Sequence, residues 1–278
     1  MSKLPVLKIG HSPDTDDAFM FYALTNRKLK PRNFTMKFYL EEIEQLNRKA
    51  FECIYDVTAA SVHAYAYLSD KYQIIPFGSS IGLNYGPVIV AKDNIPLERL
   101  RKLKICIPGT LTTAYLLLKL CLPETEVYSM NSKEIIPAIL NGKFPAGLII
   151  HEGQLTYEKY KLCKILDFGK WWFEKFNLPL PLGLNLIRKD LDEPIKKEFI
   201  NIFLDSINYA LKNRKEALRF AKKFSEELND NEADRFVDMY VNNYSLNLTD
   251  KELYAIEKLL SLGKENGLIT TTFKVQCA

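Results

Sequence analysis

Ala146-Gly147-Leu148-Ile149-Ile150-His151-Glu152-Gly153-Gln154-Leu155-Thr156-Tyr157 is the stretch whose reading decides the fold. Leu148 to Ile150 is a short apolar run of the kind buried in a sheet. It stops abruptly at His151-Glu152-Gly153, where the chain turns polar and a glycine permits a tight bend. In a parallel sheet this order puts a histidine and a carboxylate at the C-terminal end of a strand, where open α/β sheets bind ligands. A histidine there can also be a packed core residue or a surface turn, so the other segments have to decide.

Upstream, residues 103–107 read as a strand running into Pro108-Gly109-Thr110-Leu111-Thr112-Thr113-Ala114-Tyr115. A strand followed by glycine, threonines and a helix offers hydroxyls and free amides at a helix N-terminus, which suit a carboxylate or phosphate. A plain N-cap explains the threonines equally well. Neither the P-loop pattern nor the glycine pattern of a dinucleotide fold is present.

The chain opens with the same grammar. Residues 5–10 read as a strand, followed by His11-Ser12-Pro13-Asp14-Thr15-Asp16-Asp17 and the apolar helix Ala18-Phe19-Met20-Phe21-Tyr22-Ala23-Leu24. Asp14 or Thr15 can cap that helix, with Asp16 and Asp17 in its electropositive first turn. A metal site or a phosphatase-type aspartate pair are the alternatives, and no partner motif downstream supports the second. Residues 34–40 predict a strand and 41–51 a helix. In Thr58-Ala59-Ala60-Ser61 the small side chains allow close approach, and Ser61 falls at a helix start. His63 lies two residues into an apolar helix, where packing is its ordinary role.

The remainder predicts strands at 72–76, 86–91, 127–128, 164–168 and 184–187, a loop at 78–82 and a helix at 133–140. Pro179 to Gly183 reads as an extended crossing, and helices are expected at 193–212, 215–228, 233–242 and 250–266. At 278 residues two cores are expected rather than one. With crossings near Pro96 and at 179–183, the expectation is an α/β, periplasmic-binding-protein-like (type II) fold. Its lobes would be residues 1–92 plus 186–278, and residues 93–185. Asp14 to Asp17 and Ser61 would then face Thr112, Thr113 and His151 across a cleft.

Composition limits the function classes. Hydrophobic residues at 47% are enough for sizeable cores, and the net charge of +4 is spread among acidic residues rather than gathered in blocks. That pattern argues against a nucleic-acid surface and is compatible with a small anionic substrate. Five unpaired cysteines, with no Cys-x-x-Cys, read as buried thiols. No signal peptide or membrane-length apolar run is visible, so a soluble, cytoplasmic protein without membrane partners is expected. Nothing in the sequence sets an oligomeric state.

In order along the chain, Ser12-Pro13-Asp14-Thr15-Asp16-Asp17, Pro108-Gly109 with Thr112-Thr113-Ala114, His151-Glu152-Gly153 with Thr156-Tyr157, and Pro179-Leu180-Pro181-Leu182-Gly183 together resemble the 1,4-dihydroxy-6-naphthoate synthase family. The resemblance runs from about Lys8 to Arg188. It implies cleavage of cyclic dehypoxanthinyl futalosine to 1,4-dihydroxy-6-naphthoate in the futalosine route to menaquinone, by a lyase without metal or redox cofactor. It also implies His151 as the base and Ser61, Thr113 and Ala114 as ligand contacts. Two departures stand out. Many relatives carry Ser-Pro-Cys-Pro-Asn-Asp in the first motif, which leaves Asp14 and Asp16 without an inherited role, and Gly183-Leu184 replaces a common Gly-Gly pair. A chorismate dehydratase-like sister enzyme and a non-catalytic solute-binding protein share the fold and remain as alternatives.

Overall fold

Alternation starts the first sheet: in β1 (Val6–His11) Leu7 and Ile9 are buried while Val6 and Lys8 face out. The structure is a computed structural model that describes residues 4–225 and 228–278. Four further strands follow along the chain: β2 (Thr35–Leu40), β3 (Val57–Ser61), β4 (Tyr72–Ile74) and β5 (Ser80–Gly82). Then come β6 (Val88–Ala91), β7 (Lys104–Ile107), β8 (Glu126–Ser129), β9 (Ala146–Ile149), β10 (Cys163–Asp167) and β11 (Leu180–Arg188).

Two sheets result. The first has the order β2-β1-β3-β11-β4, with β5 also paired to β11; the second is β10-β6-β9-β7-β8. β1 runs parallel to β2 and β3, and β7 runs parallel to β8 and β9. The C-terminal ends of β1 and β3 therefore share one edge, as do those of β7 and β9. These edges carry Ser12 to Asp17, Ser61, Pro108 to Thr113 and His151, which is where such sheets bind ligands. This is the two-lobed α/β architecture of the periplasmic-binding-protein-like fold.

Sheet membership fixes where the chain crosses: β6 belongs to the second sheet, and all of β11 to the first. β6 pairs antiparallel with β9 and β10, so the second sheet already begins at Val88, not after residue 92. β11 pairs with β5 from Leu180 onward, so the first sheet resumes ahead of residue 186. Pro179 to Gly183 is thus largely strand rather than linker. Pro181 is tolerated because the register shifts between Pro181 and Gly183, and a proline lacking its N–H fits such an irregular stretch.

Helices cover both sheets. Phe168–Phe176 is a helix that the aromatic run at Trp171 did not advertise; Asp167 caps it by accepting from the amides of Gly169 and Lys170. At the C-terminus, Glu193–Lys212 lays Phe199 and Phe203 into the first core, where Phe203 stacks on Phe21. The helix expected at 215–228 is Arg214–Ala221 followed by a 3₁₀ turn at Lys222–Phe224; its residues 226–227 lie outside the described residues. The helix expected at 233–242 begins earlier, as Asp230–Tyr240, because Asn229 and Glu232 form a capping box. Asp250–Glu265 starts with the capping box Thr249/Glu252. No helix among the described residues is long and apolar enough to cross a membrane. Of the five free cysteines only Cys106 is fully buried, and Cys163 is exposed.

Candidate active site

His151 sits at the strand end expected of it, but the bend is its own. Its φ is +58°, in the left-handed region, whereas Gly153 opens the short helix Gly153–Thr156. A non-glycine residue held in this region stores backbone strain, and such strain clusters at functional sites. Gly153 is required for a different reason: a Cβ there would lie 2.4 Å from Ile149 Cγ2.

The imidazole faces the other lobe. His151 Nδ1 is 2.6 Å from Asp14 Oδ2, and that same oxygen accepts from the Ser12 hydroxyl. Asp14 is the N-cap residue of Thr15–Met20, yet its side chain caps nothing because it is turned to the histidine. The capping is done by Glu152 from across the cleft, whose Oε1 accepts from Thr15 N at 2.9 Å and Thr15 Oγ1 at 2.6 Å. Glu152 therefore does not orient the imidazole next to it. Adjacent side chains diverge, and the two residues grip successive positions of the opposite lobe.

Electrostatics follow from this pairing. Burial pulls His151 down, but the Asp14 carboxylate, with smaller help from Glu152 and Glu42, outweighs it and raises the pKa to about 10. Asp14 is held below its ordinary range: burial raises it, and the His151 charge and hydrogen bond more than compensate. Asp16 is pushed up to about 7 by burial and by the neighbouring Asp14 and Glu152 charges. Asp17 is also raised, by burial and then Asp16, while its Oδ2 accepts from Ser12 N at 2.9 Å.

The cleft between the lobes holds a cavity of about 100 Å³. Asp14, Asp16, Asp17, Ser61, Thr112, Thr113, Ala114 and His151 all line it. The hydroxyls differ in what they can still offer. Thr112 Oγ1 donates to Gly109 O at 2.8 Å and accepts from Tyr115 N. Thr113 Oγ1 donates to Leu182 O at 2.7 Å and accepts from His63 N. Both protons are committed to the fold. Ser61 Oγ accepts from Asn47 Nδ2 at 3.0 Å, and its own proton meets no acceptor among the described residues. Part of the Pro108–Ala114 turn is also filled from within, since Leu111 N donates to the buried Glu44 carboxylate at 3.0 Å. Gly109 accommodates that carboxylate: a Cβ there would stand 2.2 Å from Glu44 Oε2.

The other histidines are structural. His11 is stacked on Phe21 and His63 bonds to Thr112 O; burial lowers each to about 4, so both are neutral.

The sequence matches the family model described as menaquinone biosynthesis over residues 7–265. The chain belongs to the menaquinone biosynthesis family. Within it, the chain is similar to the 1,4-dihydroxy-6-naphthoate synthase of Thermus thermophilus, at 36% identity over 95% of this chain and 96% of the relative. The enzyme of the same name from Streptomyces coelicolor is 29% identical over 95% and 94%. A solved structure of an Archaeoglobus fulgidus protein superposes with TM-score 0.91 at 46% identity, over 95% of this chain and 98% of that one. The alkanesulfonate-binding protein of Xanthomonas axonopodis pv. citri, bound to MOPS, shares the fold alone, with TM-score 0.72 at 13% identity, over 99% and 98%.

For a member of the menaquinone biosynthesis family, several residues of this cleft escaped sequence reasoning. Ser80, Gln154, Asn185, Phe236 and Tyr240 line it as well. Phe236 and Tyr240 come from the C-terminal helices, and Tyr240 donates to Gln154 Oε1 at 2.9 Å across the lobes. An aromatic at helical spacing reads as core in sequence, and only the packing of Asp230–Tyr240 against the cleft distinguishes it.

Proposed function

We propose that this chain is a cytoplasmic lyase that converts cyclic dehypoxanthinyl futalosine to 1,4-dihydroxy-6-naphthoate. The substrate is a small anion, no metal or redox cofactor takes part, and neither nucleic acid nor membrane is a partner. The observation that carries the reading is the Asp14–His151 pair, a charged couple built across the lobes at the wall of the cleft.

In this reading His151 is the general base. Nδ1 keeps its proton toward Asp14, and Nε2, which has no partner among the described residues, accepts the proton taken from the substrate. Asp14 favours the imidazolium so formed, which drives the transfer. The same preference keeps His151 protonated at neutral pH in the resting protein, so the reactive fraction grows with alkalinity. The substrate carboxylate is held by first-turn amides of Thr113–Cys121, at Thr113 and Ala114, and by the free Ser61 proton. Thr112 and Thr113 contribute by shaping that turn through their own hydrogen bonds. Asp14 acts through the histidine as a positioning residue, and Asp17 does so at one remove by bonding Ser12 N.

Mass spectrometry of the purified protein incubated with cyclic dehypoxanthinyl futalosine tests the assignment. Naphthoate should accumulate in a chelator-treated sample as it does in an untreated one. Absence of naphthoate from both would remove the assignment, and loss only with chelator would remove the cofactor-free part.

A further inference from the structure

The cleft has a second polar corner that the proton transfer does not use. Asp16 Oδ2 accepts from Ser80 Oγ at 3.0 Å, and no partner among the described residues meets the other carboxyl oxygen. Asn185, 1% exposed on β11, donates through Nδ2 to Gly78 O at 2.7 Å. That bond fixes which way the amide points and leaves Oδ1 buried with no donor. Gly78 and Ser80 belong to one short segment, so Asn185 and Asp16 are brought to the same corner, and all of these residues line the cleft. A buried acceptor without a donor costs free energy that a bound donor recovers.

We propose that Asp16, Ser80 and Asn185 form a hydroxyl-binding subsite that takes a vicinal diol on a small ring, as in a pentose. Two acceptors lining the one cleft, Asp16 Oδ1 and Asn185 Oδ1, match the two O–H donors of a diol. The Phe236 and Tyr240 rings, with centroids 5.1 Å apart, line the same cleft and give the C–H face of such a ring an apolar wall. A cation suits the corner less well, because burial and the Asp14 and Glu152 charges push Asp16 up to about 7 and disfavour its anionic form. The subsite rests on the reaction proposed above only in treating the diol as part of the same substrate.

The probes are 1,4-anhydroerythritol, a five-membered ring ether with one vicinal diol, and 3-hydroxytetrahydrofuran, the same ring with one hydroxyl. Saturation-transfer NMR on the full chain should show the diol bound about tenfold more tightly than the mono-alcohol. Cyclic dehypoxanthinyl futalosine should displace it. Asp16→Asn, which keeps shape but changes an acceptor, and Asn185→Leu should both erase the preference. Should Asn185→Leu fail to fold, Asp16→Asn decides alone. No preference in the native protein, or a preference that survives in folded Asp16→Asn, overturns the subsite. If the preference is present but no naphthoate is ever formed, the subsite stands and the proposed reaction falls.

Discussion

Asp14 and His151 form the pair on which the site's chemistry turns, and its charge state sets the behaviour of the residues around it. With a base whose conjugate acid titrates at about 10, kcat/KM should climb through neutral pH and level only near that value. Asp14→Asn removes the main raising influence and leaves burial, which lowers the imidazole. The alkaline limb should then move several units toward acid, with a lower plateau; an unmoved limb in the variant would detach Asp14 from the chemistry. Stability follows the same shifts with a definite sign. Asp14 titrates below its ordinary 3.8 and His151 above its ordinary 6.5, so the pair's contribution is fully present between those values. It is lost as pH falls through the lowered Asp14 pKa and fades as pH rises from 6.5 to about 10. The melting temperature of Asp14→Asn should therefore trail the native protein most at about pH 5 and converge on it in alkali. Ser61→Ala, which removes the one uncommitted hydroxyl at the carboxylate end, should weaken substrate binding by about 1–3 kcal/mol with folding intact. Calorimetry showing unchanged affinity would shift the anion contact wholly to the amides.

Among the elements, the short helix Thr15–Met20 has its start completed from outside. Its first amide and the Thr15 hydroxyl both bind Glu152 from the opposite lobe, where an ordinary helix would use its own N-cap residue. Glu152→Gln keeps one acceptor oxygen, whereas Glu152→Ala leaves buried donors unmet. Glu152→Ala should raise KM strongly, about tenfold or more, and the glutamine variant should recover most of the loss. Equal effects from both variants would mean that the charge, not the hydrogen bonds, is what counts. This pairing was not legible in the sequence, because residues that meet across a cleft leave no local signal. What could be read were the strand ends: apolar runs that stop at Ser12, at Ser61, at Pro108 and at His151 carry the sheet period and the turn chemistry together. Leu180–Arg188 was harder, since Pro179 and Pro181 look like a linker and only the irregular pairing with Ser80–Gly82 makes room for Pro181. The bend at His151 was placed correctly but assigned to the neighbouring glycine, because left-handed backbone is ordinarily a glycine property.

At the scale of the whole molecule, polar contacts tie the lobes along the cleft. Asp14 meets His151, Thr15 meets Glu152, Leu111 meets Glu44, and Tyr240 meets Gln154. Counting lobes by sheet membership, we propose that one comprises residues up to about 83 and from 180 onward, and the other residues 88 to about 176. Assembling the Asp14–His151 pair then requires the lobes to be together, so closure and the competence of the base are one event. Whether His151 is that base decides the account. The measurement is single-turnover formation of 1,4-dihydroxy-6-naphthoate from cyclic dehypoxanthinyl futalosine by the native chain and by His151→Asn, alongside the affinity of each for the substrate. The expected result is naphthoate from the native chain, a rate lower by about 10²–10⁴-fold in the variant, and substrate still bound. A folded His151→Asn that forms naphthoate at the native rate would contradict it.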